Sequence, residues 1–174
     1  AAGVVLAGAR QDVLAQRPPS VGAMLLQQVE ASGDREAFRH KVGDRWVSMS
    51  WTETKVATFE LAAGLLALGV GHEDRVAIAS GTRIEWVLAD LAVMSAGAAT
   101  TTVYPTTQHE DVAFILSDSG SRVVFAEDQG QVDKIEAHAD ELPDLETIVQ
   151  IAGVPRGPRT ISLDDLRARG RERL

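Results

Sequence analysis

The 174-residue chain contains no cysteine. That excludes disulfides, thiolate nucleophiles and cysteine-ligated metal centres, and it suits a reducing compartment. Lysine is scarce: Lys41, Lys55 and Lys134 are the three present, and none follows a glycine-rich loop of the kind that cradles a triphosphate. Positive charge is short overall, with 17 Lys and Arg against 25 Asp and Glu for a net charge of −8. The basic stripe that a nucleic-acid partner needs is therefore missing. No apolar run approaches the ~18 residues required for a membrane-spanning helix. The expectation is a soluble, cytoplasmic protein without a transmembrane segment, for which peripheral membrane contact stays open. His40, His72, His109 and His138 have no partner at helical spacing, so no metal site is expected. The tripeptide His72-Glu73-Asp74 returns as His109-Glu110-Asp111, but both copies sit where acidic residues suit a turn or a helix start.

What is present is ordinary for a globular protein: 45% hydrophobic and 24% charged residues, in a chain long enough to bury a core. The organising stretch runs from Asp74 to Thr107. Val76-Ala77-Ile78-Ala79 is too short an apolar run for a helix and is stopped by Ser80-Gly81. Thr82-Arg83-Ile84-Glu85 fits a capping box, and Ile84, Val87, Leu88, Leu91 and Ser95 follow as one helical face. Gly97 ends that helix, and Ala99–Tyr104 is rich in strand-forming threonines. Strand, helix and strand at these lengths make a right-handed crossover and a parallel sheet.

The flanking elements extend the pattern. Small apolar residues and Arg17-Pro18-Pro19 make 1–19 a leader, poorly ordered or extended. Ser20 caps a helix to about Ser32, and Ala37–Lys41 with Arg45–Ser50 reads as a β-hairpin around Gly43. Ser50-Trp51-Thr52-Glu53 is a second capping box, opening a helix with Val56, Phe59, Ala63 and Leu66 on its inner face. Its closing glycines end a helix, so they are not a dinucleotide fingerprint. Thr107-Gln108-His109-Glu110 is a third box. A strand at Arg122–Ala126, a helix from Asp128 to about Asp140 and a strand at Thr147–Ile151 complete a unit spanning 20–153. Residues 154–174 read as a linker and the start of a following segment, with Ser162 capping a short helix, so the chain looks truncated. The fold class is α/β: four mostly parallel strands with flanking helices plus a β-hairpin.

The ordered set Gly-x-x-x-Asp-Arg-Val-Ala-Ile, Thr-Arg-x-Glu-Trp, Ala-Gly-Ala and Tyr-Pro-Thr resembles the opening of an AMP-forming acyl-CoA ligase. The long-chain fatty acid branch of the adenylate-forming superfamily is the nearest likeness, over about Ser20 to Gly153. The resemblance implies the first subdomain of a larger enzyme. That enzyme uses ATP and Mg²⁺ to make an acyl-adenylate from a fatty acid, then passes the acyl group to coenzyme A. The family's triphosphate loop, ribose-binding Asp and C-terminal lysine have no counterpart in this chain, so no catalytic residue is assigned and the part alone is expected to be inactive. No cofactor is expected bound to it.

Arg83, Glu85 and Trp86 match the family motif, and capping and packing account for their types. Tyr104, Pro105 and Thr106 are the candidate binding residues. They follow a parallel strand, where open α/β sheets place ligands, and the resemblance puts them where the coenzyme A arm enters. Two alternatives remain: an acyl-AMP ligase delivering to a carrier protein, and a free-standing non-catalytic binding module.

Overall fold

The computed structural model describes residues 15–174, so most of the leader expected at 1–19 lies outside the described residues. Helix α1 (Val21–Ser32) starts at Ser20, whose Oγ accepts the Ala23 amide at 3.1 Å. Strands β1 (Glu36–Val42) and β2 (Arg45–Ser50) form the antiparallel hairpin, a separate two-stranded sheet. Helix α2 (Trp51–Ala67) follows, then β3 (Arg75–Ala79), α3 (Ile84–Ser95), β4 (Ala99–Val103), α4 (His109–Ser119) and β5 (Ser121–Ala126). The chain continues through α5 (Gln129–Glu136), a 3₁₀ turn at Ala139–Glu141, β6 (Thr147–Gln150), β7 (Thr160–Ser162) and α6 (Leu163–Arg173).

The main sheet has five parallel strands in the order β4-β3-β5-β6-β7. Its first strand lies between its second and third, so successive crossovers wind in opposite directions and helices cover both faces. The two-residue side-chain period of a strand makes this visible in single residues. Val76, Ile78, Val123, Phe125 and Val149 point into the core shared with α2, α3 and α6. Ala77, Ala79, Val124, Ala126 and Ile148 point into the core shared with α4 and α5. Because both faces are covered, β3 and β5 read as continuous apolar runs.

Three features differ from the sequence reading. The sheet has a fifth strand, β7, which pairs with β6 through Ile148–Thr160 and its neighbours. At three residues it is too short to carry a strand pattern. The segment set apart as linker and following segment thus supplies an edge strand and a helix that lies along α2. Helix α2 buries Thr54, Ala57, Thr58, Leu61 and Leu65, whereas Val56 and Leu66 are exposed. The inner face combines Leu61 and Leu65 with small residues, the expected Ala63 among them, and Phe59 is half-buried. Helix α5 ends at Glu136, and the expected remainder to Asp140 becomes the 3₁₀ turn.

Candidate functional site

The topological switch point lies between β3 and β5, at the carboxyl ends of the strands. Three loops meet at this edge: Ser80-Gly81-Thr82 after β3, Tyr104–Thr107 after β4, and Glu127-Asp128 after β5. The Glu127 carboxylate fills the crevice from within. Its Oε2 accepts the Gly81 amide at 2.7 Å, and its Oε1 lies 3.8 Å from the Arg83 guanidinium.

Arg83 turns to Glu85 as well, at 2.7 Å. Burial is the largest single influence on the Glu85 carboxyl and pushes it up, but the Arg83 guanidinium and backbone hydrogen bonding together bring the group below its ordinary 4.5. This corrects the capping box expected at Thr82. The helix is entered from Arg83 with no side-chain cap, and Glu85 is taken by the guanidinium. The box expected at Thr107 is absent too: α4 starts after Gln108 without a side-chain cap.

Beside the crevice is a cavity of about 450 Å³ whose lining includes Ser80, Thr82, Trp86, Tyr104, Pro105 and Thr106. The three residues singled out in the sequence therefore share one wall, and Trp86 joins them from α3. Tyr104 is 77% exposed, an open aromatic face at the rim. The turn is closed by the Thr107 amide donating to the Tyr104 carbonyl at 3.0 Å. A larger groove of about 710 Å³ runs between the hairpin and the start of α3, lined by Phe38, His40, Trp46 and Glu85 among others. It is bounded by the hairpin, so the strand-end cavity is the better candidate site.

A sequence model of the AMP-binding enzyme family matches residues 25–169. The chain belongs to that family. It is 32% identical over 142 residues to the long-chain-fatty-acid–CoA ligase FadD15 of Mycobacterium bovis, covering 82% of this chain and 23% of that protein. It is 28% identical over 139 residues to the long-chain-fatty-acid–CoA ligase ACSBG2 of Xenopus laevis, covering 80% of this chain and 19% of that protein. The chain thus spans about a quarter or less of the length of these relatives. Among solved structures, a putative long-chain-fatty-acid CoA ligase from Rhodopseudomonas palustris superposes with a TM-score of 0.75 at 26% identity, over 84% of this chain and 36% of that one. The anthranilate CoA ligase AuaEII, solved with anthranoyl-AMP, shares the fold at a TM-score of 0.77 and 22% identity, over 86% of this chain and 28% of that one.

An AMP-binding enzyme needs cations for a triphosphate, and the residues described here do not assemble that cradle. The Lys41 ammonium lies 5.7 Å from the centre of the Trp46 ring, and the Lys134 ammonium donates to two backbone carbonyls. Among the described residues no cluster of three or more His, Asp or Glu side chains could hold a metal ion. The exposed Tyr104 ring and Thr106 offer a flat aromatic face and a hydroxyl at this edge of the sheet.

One pairing was invisible in sequence. His109 Nδ1 lies 3.0 Å from His138 Nε2, 29 positions away, and His138 Nδ1 lies 2.7 Å from Glu141 Oε1. His72 lies beside Gly97 instead, so the repeated tripeptide marks two separate places.

Proposed function

We propose that this chain is the N-terminal part of an ATP-dependent long-chain fatty acid–CoA ligase. The full-length enzyme activates a fatty acid as its acyl-adenylate with ATP and Mg²⁺, then transfers the acyl group to coenzyme A. What supports this reading is the family match over residues 25–169 together with relatives named as long-chain ligases in a bacterium and a vertebrate. In this reading the present residues bind and orient, and those that handle the triphosphate come from elsewhere in the full-length protein. The isolated chain is inactive. No helix of the described residues is long and apolar enough to cross a membrane, and the enzyme acts in the cytoplasm or peripherally at a membrane.

Tyr104, Pro105 and Thr106 contact the coenzyme A arm. Pro105 stiffens the turn, while the tyrosine ring offers a flat surface. Acyl-adenylate forms before coenzyme A is used, so filling this cavity acts on the second half-reaction. Thr106→Trp in the full-length enzyme raises the coenzyme A KM and leaves fatty-acid-dependent pyrophosphate exchange near wild type. A fall in both half-reactions together makes the turn structural, and no change in either sends coenzyme A elsewhere. The wild-type assay also separates the alternatives. Exchange without transfer to coenzyme A means an acyl-AMP ligase that serves a carrier protein, and no exchange at all means a non-catalytic module.

A further inference from the structure

We propose that Lys134 is a positioning residue for the Tyr104–Thr107 turn and thereby sets the cavity that receives coenzyme A. The assignment rests on the reading of that cavity given above. The Lys134 ammonium donates to the Pro105 carbonyl at 2.8 Å and to the Thr107 carbonyl at 3.0 Å. Gln131, one helical turn earlier on α5, donates its Nε2 to the same Pro105 carbonyl at 3.0 Å. Residues three apart share a helix face, so one face of α5 grips the two carbonyls that bracket Thr106.

The spending of this lysine is unusual. Among the described residues it forms no ion pair. Its charge goes to two backbone oxygens, and charge-assisted bonds of this kind are the strong ones. Pro105 accepts two donors, which fills both of its carbonyl lone pairs. The turn has little else to fix it. Its own backbone bond is the one from Thr107 to Tyr104, Pro105 brings no amide, and the Tyr104 ring is uncovered. The ring therefore goes where the backbone sends it, and α5 holds that backbone. The opposite wall is fixed independently by Glu127 on the Gly81 amide. Each side of the cavity is thus tied to an element outside it.

Site-specific incorporation of meta-fluorotyrosine at position 104 of the full-length enzyme gives one fluorine resonance that reports the turn directly. Lys134→Met shifts or broadens that resonance, Gln131→Leu does so less, and Lys134→Arg restores most of the wild-type signal through its own donors. In the full-length enzyme Lys134→Met raises the coenzyme A KM about tenfold and leaves pyrophosphate exchange within about twofold of wild type, with recovery in Lys134→Arg. An unmoved fluorine resonance in Lys134→Met, with a native melting profile, overturns the clamp. A moved resonance with an unchanged coenzyme A KM keeps the clamp and overturns the coenzyme A reading of the cavity. If Lys134→Met does not fold, Gln131→Leu carries the same pair of measurements.

Discussion

Helices α2 and α6 lie along one another and begin alike, while α3 and α4 follow the loops that line the candidate cavity and begin differently. Ser50 and Ser162 each form a complete capping box, the serine accepting the amide three residues on while Glu53 or Asp165 returns to the serine amide. Arg83 and Gln108 make no such bond. The helix starts away from the cavity are self-sufficient. The loops before α3 and α4 are tied to distant partners, Glu127 at one and Lys134 at the other, while α5, which starts in the third loop at this edge, keeps a local cap in which the Gln131 amide donates to Asp128. The difference marks a scaffold and a site within one small sheet.

The scaffold side also contains a close approach of two backbones. At the α2–α6 crossing, a Cβ built on Gly170 would collide with the Glu60 carbonyl, and one on Gly64 with the Leu166 carbonyl. The glycines let two backbones touch. Beside them the buried Glu60 carboxylate pairs with Arg167 at 2.6 Å and Arg171 at 3.3 Å. Gly170→Ala therefore has the largest expected effect. The helices must separate and the β7–α6 segment loosens, at a cost of about 2–3 kcal/mol in a denaturant melt. A midpoint at the wild-type position would mean that the two helices do not lie this close.

Next in size is the cap itself. Ser50→Ala leaves the Glu53 amide without its partner and costs about 1 kcal/mol. The same variant at Ser162 gives a similar loss, since the two starts are built alike. A null result at both would break the contrast between scaffold and site.

A smaller effect comes from acid. The Ser50 amide and hydroxyl hold the Glu53 carboxyl below its ordinary 4.5, and the Ser162 hydroxyl and amide hold Asp165 below 3.8. The Gly71 amide and the Arg122 guanidinium do the same for Asp74. A depressed folded value means that the unfolded chain binds the proton more readily. The stabilisation is present above the ordinary values and is lost as pH falls through the folded ones. Melting temperature should stay level from neutrality to about pH 5 and then fall. Glu53→Gln, which no longer titrates, should flatten part of that fall.

The scaffold was also the more legible region. Val76–Ala79 and Val123–Ala126 are short apolar runs bounded by turns, so the strands follow from their length and composition, whereas α3 buries Leu88, Ala89, Ala92 and Val93 where periodicity gave Ile84, Val87, Leu88, Leu91 and Ser95. Helix α6 was harder. Its inner surface consists of Leu166 and Gly170 in an otherwise charged segment, and a glycine that permits contact leaves no hydrophobic signal. The candidate turn at Tyr104 was legible from its place after a parallel strand. Its supports were not, because Gln131 and Lys134 reach it from 26 to 29 positions away. Sequence spacing carried the local bonds at Ser50 and Ser162 but also offered boxes at Thr82 and Thr107 that do not form, and it carries long-range bonds hardly at all.

The smallest expected effect is at Thr82, and it is the sharpest test of the contrast. Thr82-Arg83-Ile84-Glu85 has the same pattern as the box at Ser50, so spacing alone gives Thr82→Ala the same loss of about 1 kcal/mol. In the structure Thr82 is exposed, the cap position is Arg83, and the Glu85 carboxylate faces the guanidinium at 2.7 Å. Removing the hydroxyl then takes away no hydrogen bond, and the cost should stay within about 0.5 kcal/mol, as for an ordinary surface substitution. Arg83→Met completes the comparison, since it strips Glu85 and Glu127 of their shared cation at once. Matched denaturant melts of Thr82→Ala, Arg83→Met and Ser50→Ala decide between the two accounts. If Thr82→Ala falls as far as Ser50→Ala, α3 is locally capped and the site side is built like the scaffold. If Arg83→Met alone falls with Ser50→Ala, the start of α3 is held through the Arg83 guanidinium, by Glu85 and Glu127 together.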